Sequence, residues 1–163
     1  MKFNPKTDLE LIREIDVPVE LVWKAWTEPE HLMKWFCPAP WKTVECEIDL
    51  RPGGRFFTVM SSPEGEKFPN TGCYLEVVEN KKLVWTDALK EDFRPTGTPN
   101  QCFNSYFTAH LFLEKSGSGT TYKVIALHGD EESRNKHEEQ GFYDGWNAAL
   151  NQMIELIKNG GIK

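Results

Sequence analysis

Trp23–Phe36, which reads WKAWTEPEHLMKWF, contains three tryptophans and one phenylalanine within fourteen residues. Thr27 followed by Glu30 has the spacing of a capping box, and Pro29 falls in the first turn of a helix, where a missing N–H is tolerated. The pattern predicts one short helix that ends near Trp26 and a second that begins at once. Two short aromatic helices joined so tightly suit the mouth of a sheet better than a bundle. The apolar residues expected on the second helix are Leu32, Trp35 and Phe36.

Composition limits the classes of function. The chain has 163 residues, of which 39% are hydrophobic and 27% charged, and we expect one domain over residues 1–163 with a core from about 8 to 158. The net charge of −6 argues against a nucleic-acid partner. No apolar run is long enough for membrane insertion, and the N-terminus lacks the apolar core of a signal peptide. A cytoplasmic location is the resulting expectation.

The residues that bind metals in other proteins do not form a motif here. The cysteines contain no C-x-x-C pair, which predicts reduced thiols rather than a zinc or redox site. His110 and His128 are expected on paired strands, three or four residues out of register. This offset separates the two side chains by about 10–13 Å, which is too far for them to bind one metal ion. His137 begins HEEQG rather than H-E-x-x-H and is interpreted as a solvated helix residue. We therefore predict no metal, no cofactor and no catalytic residue. The four cysteines are Cys37, Cys46, Cys73 and Cys102.

Alternating segments follow the helix pair. Thr43–Leu50 places apolar residues at every even position, which predicts a half-buried antiparallel strand with Val44, Cys46 and Ile48 on one face. Arg51–Gly54 forms a turn, and neighbouring strands are expected to pair as hairpins. Six further segments are predicted as strands: Asp8–Ile15, Arg55–Ser61, Gly72–Val78, Leu83–Leu89, Ser105–Leu113 and Thr120–His128.

The last segment changes its hydrophobic period. From Phe142 onward, apolar residues are spaced by three and four, which predicts a long amphipathic helix that begins soon after Asp130. The sequence 159–161, Asn-Gly-Gly, ends it. The predicted fold is therefore α+β: a curved antiparallel sheet of six to seven strands wraps around a long C-terminal helix, and two short helices follow the first strand. Such a fold leaves a concave space between sheet and helix.

Four motifs in this order carry a family resemblance: residues 22–30 (VWKAWTEPE), 49–56 (DLRPGGRF), 72–78 (GCYLEVV) with 83–86 (LVWT), and 145–150 (GWNAAL). In these motifs the chain resembles the heat-shock-protein-90 ATPase activator-like family of the START and birch-pollen-allergen-like helix-grip superfamily. The resemblance covers about residues 9–157 and implies the helix-grip fold. Its relatives include lipid carriers, hormone receptors, polyketide cyclases and chaperone partners.

We interpret the chain as a protein that binds a small, largely apolar ligand of unknown identity in the space between the sheet and the C-terminal helix. A chaperone-interacting or stress-response module that resembles the ATPase activator domain is the alternative, with a chaperone as partner. A cyclase- or hydrolase-type enzyme that uses the same cavity is the second alternative, and we favour a non-enzyme. The chain is expected to be a monomer or a homodimer.

The excess of aromatic side chains supplies the candidate site. Tyr74, Tyr106 or His110 is expected to orient the ligand through one polar group. Asp87 is expected on the solvated face of a strand; if it pointed inward, it would be a polar anchor or an acid with a shifted pKa. The loop Lys90–Asn104 is interpreted as a lid over the cavity, or otherwise as an irregular surface loop. A core filled by these rings is the alternative to a cavity. The predicted wall and mouth residues are Trp35, Phe36, Phe57, Tyr74, Trp85, Phe103, Tyr106, His110, Phe142 and Trp146.

Overall fold

A seven-stranded antiparallel sheet forms the framework of the protein, and its strand order is β1-β9-β8-β5-β4-β3-β2. The computed structural model describes residues 1–97, 99 and 105–163. Two further short strands, β6 and β7, pair with each other in a separate ribbon. The strands within the described residues are β1 (Asp8–Ile15), β2 (Lys42–Ile48), β3 (Arg55–Ser61), β4 (Lys67–Val78), β5 (Lys82–Thr86), β6 (Leu89–Lys90), β7 (Arg94–Pro95), β8 (Phe107–Ser116) and β9 (Gly119–His128).

The two short helices after the first strand are α1 (Val19–Thr27) and α2 (Pro29–Leu32). The predicted capping box is wrong, because Thr27 is the last residue of α1 and its hydroxyl donates to the carbonyl oxygen of Trp23 at 2.7 Å. The second helix also ends earlier than predicted, at Leu32. The two aromatic residues expected on it, Trp35 and Phe36, follow in turns.

The C-terminal segment forms two helices rather than one, α3 (Glu131–Glu139) and α4 (Phe142–Lys158). Gly141 separates them with a φ of 94°, a left-handed conformation that glycine adopts without a steric penalty. Asp130 caps α3, because its carboxylate accepts a hydrogen bond from the Ser133 N–H at 2.7 Å. The predicted start near Asp130 is thus the start of α3.

An irregularity in β2 changes the faces that the alternating sequence predicts. The register with β3 shifts between Thr43 and Glu45, so Thr43 is buried while Val44 lines a surface groove with Glu45. Cys46 and Ile48 still pack against the core. The uniform alternation of Thr43–Leu50 therefore holds only after the bulge.

The described start of the loop predicted at Lys90–Asn104 packs against the sheet. Its first part belongs to the β6–β7 ribbon, and the Asp92 N–H donates to the Gly53 carbonyl oxygen at 2.8 Å. The Oε2 atom of Glu91 lies 3.9 Å from Nε of Arg55. The tip of the ribbon therefore contacts the turn between β2 and β3 and does not cover the sheet–helix space. Cys102 and Phe103 lie outside the described residues.

One face of the sheet packs against α1 and α4. We call this the inner face and the opposite one the outer face. Gln152 fixes α4 to the segment after α2, because its amide donates to the carbonyl oxygens of Trp35 at 3.0 Å and Cys37 at 2.9 Å and accepts from the Ala39 N–H at 2.8 Å. The buried residues that mark the inner face include Phe56, Tyr74, Trp85, Ala109, Leu111, Tyr122 and Val124.

Candidate functional site

Aromatic rings meet between the inner face and α4, with Trp26 at their centre. The Trp26 ring centroid lies 4.9 Å from that of Trp35, 5.1 Å from that of Trp85 and 6.5 Å from that of Trp146. Such separations are typical of aromatic rings in direct contact. Trp26 is 1% exposed, and its indole N–H donates to the Tyr122 hydroxyl at 3.2 Å. The set that we call the aromatic cluster comprises Trp26, Trp35, Phe36, Phe56, Tyr74, Trp85, Phe142 and Trp146.

Trp26 and Phe56 belong to this cluster although the sequence analysis does not include them among the site residues. Trp26 there marks only the end of a helix, and the adjacent Phe56 and Phe57 give no indication of which one faces inward. The sequence predicts a cavity between the sheet and the C-terminal helix, but the Trp26 ring occupies the centre of this space. This arrangement corresponds to the filled-core alternative. Six predicted wall residues join the two: Trp35, Phe36, Tyr74, Trp85, Phe142 and Trp146.

Two predicted wall residues lie on the outer face instead. Phe57 follows the buried Phe56 and carries the Arg55 guanidinium 4.3 Å from its ring centroid. His110 lies between the buried Ala109 and Leu111 on β8, so the alternation of the strand directs it outward. These two placements correct the expectation, because only inward-facing residues line the sheet–helix space. Phe103 lies outside the described residues.

The outer face carries its own open grooves. His110 stacks on Phe112 with ring centroids 5.9 Å apart, and two lysine ammonium groups flank the Phe112 ring at 4.8 and 5.4 Å from its centroid. A groove of about 620 Å³ beside Phe112 also includes Ile12 and Val19. A second groove, of about 470 Å³, lies along Phe57 and Val59.

Two tyrosines predicted to orient a ligand differ in their hydrogen bonding. The Tyr106 hydroxyl donates to the Thr96 carbonyl oxygen at 3.1 Å. The Tyr74 hydroxyl is buried and has no hydrogen-bond partner among the described residues, and its ring stacks on Phe56 at 5.2 Å. Burial, with a smaller contribution from Cys46, raises the pKa of Tyr74 well above its ordinary value. Tyr74 is therefore a neutral hydrogen-bond donor inside the aromatic cluster.

A carboxyl group lies at the end of β5. Asp87 directly follows the last residue of β5, two positions after the inward-facing Trp85. Its Oδ1 atom accepts from the Phe107 N–H at 2.9 Å, while Oδ2 is buried without a partner in the described chain. Burial raises the pKa of the Asp87 carboxyl to about 6. The expectation of a solvated carboxyl is therefore wrong, because Oδ2 is buried and the pKa is shifted.

A histidine pair closes the same end of the sheet. His128 shares a hydrogen bond of 2.8 Å between its Nε2 atom and Nδ1 of His137, and its Nδ1 atom contacts the Thr7 carbonyl oxygen at 2.8 Å. His137 is buried, which corrects the prediction of a solvated helix residue. Burial, and to a smaller extent His128, lowers the pKa of His137 to about 4. Both imidazoles are therefore neutral at physiological pH and link β1, β9 and α3.

Potential metal ligands gather at one surface position of the described chain. Glu28, Glu30 and His31 place their ligand atoms within 4.8 Å of one another at the start of α2. Exposed carboxylates commonly approach each other in this way without an ion, so we assign no metal to this group.

The chain is similar to known proteins in both sequence and fold. The model of the Activator of Hsp90 ATPase homolog 1-like protein family matches residues 16–158. A crystal structure of a Nitrosomonas europaea protein is 47% identical, with a TM-score of 0.91 over 98% of this chain and 99% of that one. A Mycobacterium smegmatis protein is 26% identical, with a TM-score of 0.75 over 93% and 90%. No functionally curated protein matches the chain.

A more distantly related structure shares the fold, and at this level of identity the similarity carries no information about function. A protein of Aeromonas hydrophila described as AHSA1-like is 21% identical, with a TM-score of 0.69 over 94% of both chains. No helix in the described residues is long and apolar enough to cross a membrane. The seven-stranded curved sheet and C-terminal helix confirm the predicted helix-grip architecture, which is of a ligand-binding type. The chain belongs to the Activator of Hsp90 ATPase homolog 1-like family.

Proposed function

We propose that the protein binds a small, largely apolar molecule between the sheet and α4, in contact with the aromatic cluster. The observation that carries the proposal is the Tyr74 hydroxyl, which is 0% exposed and has no hydrogen-bond partner among the described residues. Leaving such a group unpaired costs about 1–3 kcal/mol, so buried hydroxyls in native proteins are normally paired. A ligand acceptor beside Tyr74 would recover this hydrogen bond.

The aromatic cluster offers both the contact area and the route of entry. Phe36 and Trp146 are only half-buried, although both contact the central Trp26 ring. A ligand that displaces either half-buried ring would exchange one aromatic contact for another. The apolar body would supply most of the affinity through burial, at about 25 cal/mol per Å² of apolar surface. The hydrogen bond to Tyr74 would set its orientation.

The polarity of the wall restricts the ligand. Burial raises the pKa of the Cys46 thiol to about 11, with a smaller contribution from Glu47, so this inner-face group near Tyr74 is uncharged. Tyr74 is neutral as well. An uncharged acceptor such as a ketone or ether oxygen therefore fits the Tyr74 end better than a carboxylate or phosphate, whose desolvation would be far more costly.

Replacing Tyr74 by phenylalanine tests this proposal. We expect Tyr74→Phe to weaken the binding of acetophenone about five-fold, the effect of losing one neutral hydrogen bond. Ethylbenzene, which has the same shape without the acceptor, should bind both proteins within about two-fold. Dissociation constants from ligand-observed NMR provide the measurement.

Tyr143→Phe is the matched control, because this hydroxyl sits on an exposed ring of α4. It should leave the affinities for both probes unchanged. The proposal is contradicted if acetophenone binds wild type and Tyr74→Phe equally, or if neither probe binds the wild-type protein.

A further inference from the structure

Three buried polar atoms near the end of β5 have no hydrogen-bond partner in the described part of the chain. They are the Oδ2 atom of Asp87, the hydroxyl of Thr96 and the hydroxyl of Ser105. Native proteins leave few such atoms unpaired, and each one calls for an explanation. The carboxylate oxygen can only accept hydrogen bonds, whereas each hydroxyl can accept as well as donate.

Backbone and side-chain hydrogen bonds hold the three residues in one place. The Thr96 N–H donates to the carbonyl oxygen of Ala88, the neighbour of Asp87, at 2.9 Å. The Tyr106 hydroxyl donates to the Thr96 carbonyl oxygen at 3.1 Å, and Tyr106 directly follows Ser105. The Phe107 N–H donates to the Asp87 carboxylate at 2.9 Å. These hydrogen bonds connect Asp87, Thr96 and Ser105 at the end of β5, and we call the three residues the acceptor site.

Asp87, the charged member of the acceptor site, lies close to the aromatic cluster along the chain. Tyr74 pairs directly with Trp85 across β4 and β5, and Asp87 follows two residues later, about 7 Å further along the strand direction. Phe107, which bonds Asp87, is itself packed against the core. A molecule of the size proposed above can therefore contact the cluster with its apolar part and reach the acceptor site with its polar end.

The chemistry of the acceptor site specifies that polar end. A primary ammonium has three N–H donors and one positive charge, which matches three acceptors of which one is a carboxylate. An anionic group would meet the charge of Asp87 unfavourably. The net charge of −6 also favours the approach of cations.

We propose, on the basis of the ligand-binding function above, that the ligand is a primary amine with an apolar body. Its ammonium donates to Asp87 Oδ2, Thr96 Oγ1 and Ser105 Oγ, while the body packs on the aromatic cluster. Burial raises the pKa of Asp87 to about 6, so the carboxyl is largely ionised at neutral pH and can pair with the ammonium.

Calorimetric titration of the full chain with 2-phenylethylamine and with 2-phenylethanol tests the acceptor site. These probes share their apolar body, and only the first carries an ammonium. We expect wild type to bind the amine about ten-fold more tightly than the alcohol, as for a hydrogen-bonded charge pair. Asp87→Asn should bring the two affinities within about two-fold of each other.

Asp92→Asn is the matched control, because it removes the same charge from an exposed residue at the tip of the ribbon. It should retain the preference for the amine. If Asp87→Asn does not fold, the double variant Thr96→Val, Ser105→Ala takes its place, and it should reduce the preference about five-fold.

Equal affinity of wild type for the two probes overturns the acceptor site and leaves the proposal for Tyr74 standing. A preference that survives in Asp87→Asn, or that Asp92→Asn removes equally, also overturns it. If neither these probes nor acetophenone bind, both proposals fail.

Discussion

Trp26→Ala is expected to lower the free energy of unfolding by about 4 kcal/mol, a typical loss for removing a large buried aromatic side chain. The ring contacts Trp35, Trp85 and Trp146 at 4.9, 5.1 and 6.5 Å, so its loss leaves a cavity bordered by rigid rings. It also deprives the buried Tyr122 hydroxyl of the indole N–H that it accepts. Since domains of this size are stable by about 5–15 kcal/mol, the variant should lie close to global unfolding.

Urea unfolding followed by far-UV circular dichroism measures this loss without depending on tryptophan fluorescence. Trp41→Ala is the matched control, because Trp41 is 37% exposed and contacts only Phe68 among aromatic rings of the described chain. It should cost less than about 1 kcal/mol. A loss of similar size in both variants would contradict a central role for Trp26.

Asp87→Asn is expected to stabilise the protein by about 2 kcal/mol at about pH 8. The folded-state pKa of about 6 lies above the ordinary value of 3.8. The stability linked to this proton is therefore fully present below pH 3.8 and is lost as the pH rises through 6. Asparagine avoids the buried charge, and its side-chain oxygen can still accept from the Phe107 N–H. The gain should disappear at about pH 4, where Asp87 is largely protonated in the folded state.

The difference between the variant and wild type isolates this effect from that of the histidine pair. The pKa of His137 is lowered to about 4, so the stability linked to its neutral form is complete above 6.5 and is lost as the pH falls toward 4. That trend runs opposite to the one for Asp87 and is common to both proteins. Urea unfolding across the pH range gives the difference. A stability gain that does not change with pH, or a loss at about pH 8, would refute the buried ionised carboxylate.

A residue that weakens the fold at neutral pH yet confers a binding preference is typical of a functional site. Asp87→Asn should combine both properties, since it becomes more stable while it loses the preference for the amine. A residue with a purely structural role would show a loss of stability instead.

The fold follows from periodicity, but the faces of individual residues do not. Alternation along Thr43–Leu50 indicates a strand, whereas the shift in register after Thr43 depends on pairing with β3. Alternation along β3 indicates that the adjacent Phe56 and Phe57 face opposite sides of the sheet, but not which of them faces the core. Pairing with the neighbouring strands places Phe56 in the core. His110 is directed outward because its neighbours on β8, Ala109 and Leu111, face the core.

Local motifs mislead where a side chain has a nearer partner. Thr27 satisfies the spacing of a capping box, yet its hydroxyl bonds to the preceding helical turn through the Trp23 carbonyl oxygen. The acceptor site has no sequence motif, because Asp87, Thr96 and Ser105 are separated in sequence and are connected only through tertiary hydrogen bonds. Unpaired polar atoms become visible only when all their neighbours are placed.

Intermolecular NOEs from acetophenone to the ring protons of the protein test the central claim most directly, because they locate the bound molecule without a mutation. The account predicts NOEs to Tyr74 and to its neighbours Phe56 and Trp85 on the inner face. NOEs confined to Phe57 or Phe112 on the outer face would contradict it, as would a saturated protein that shows none.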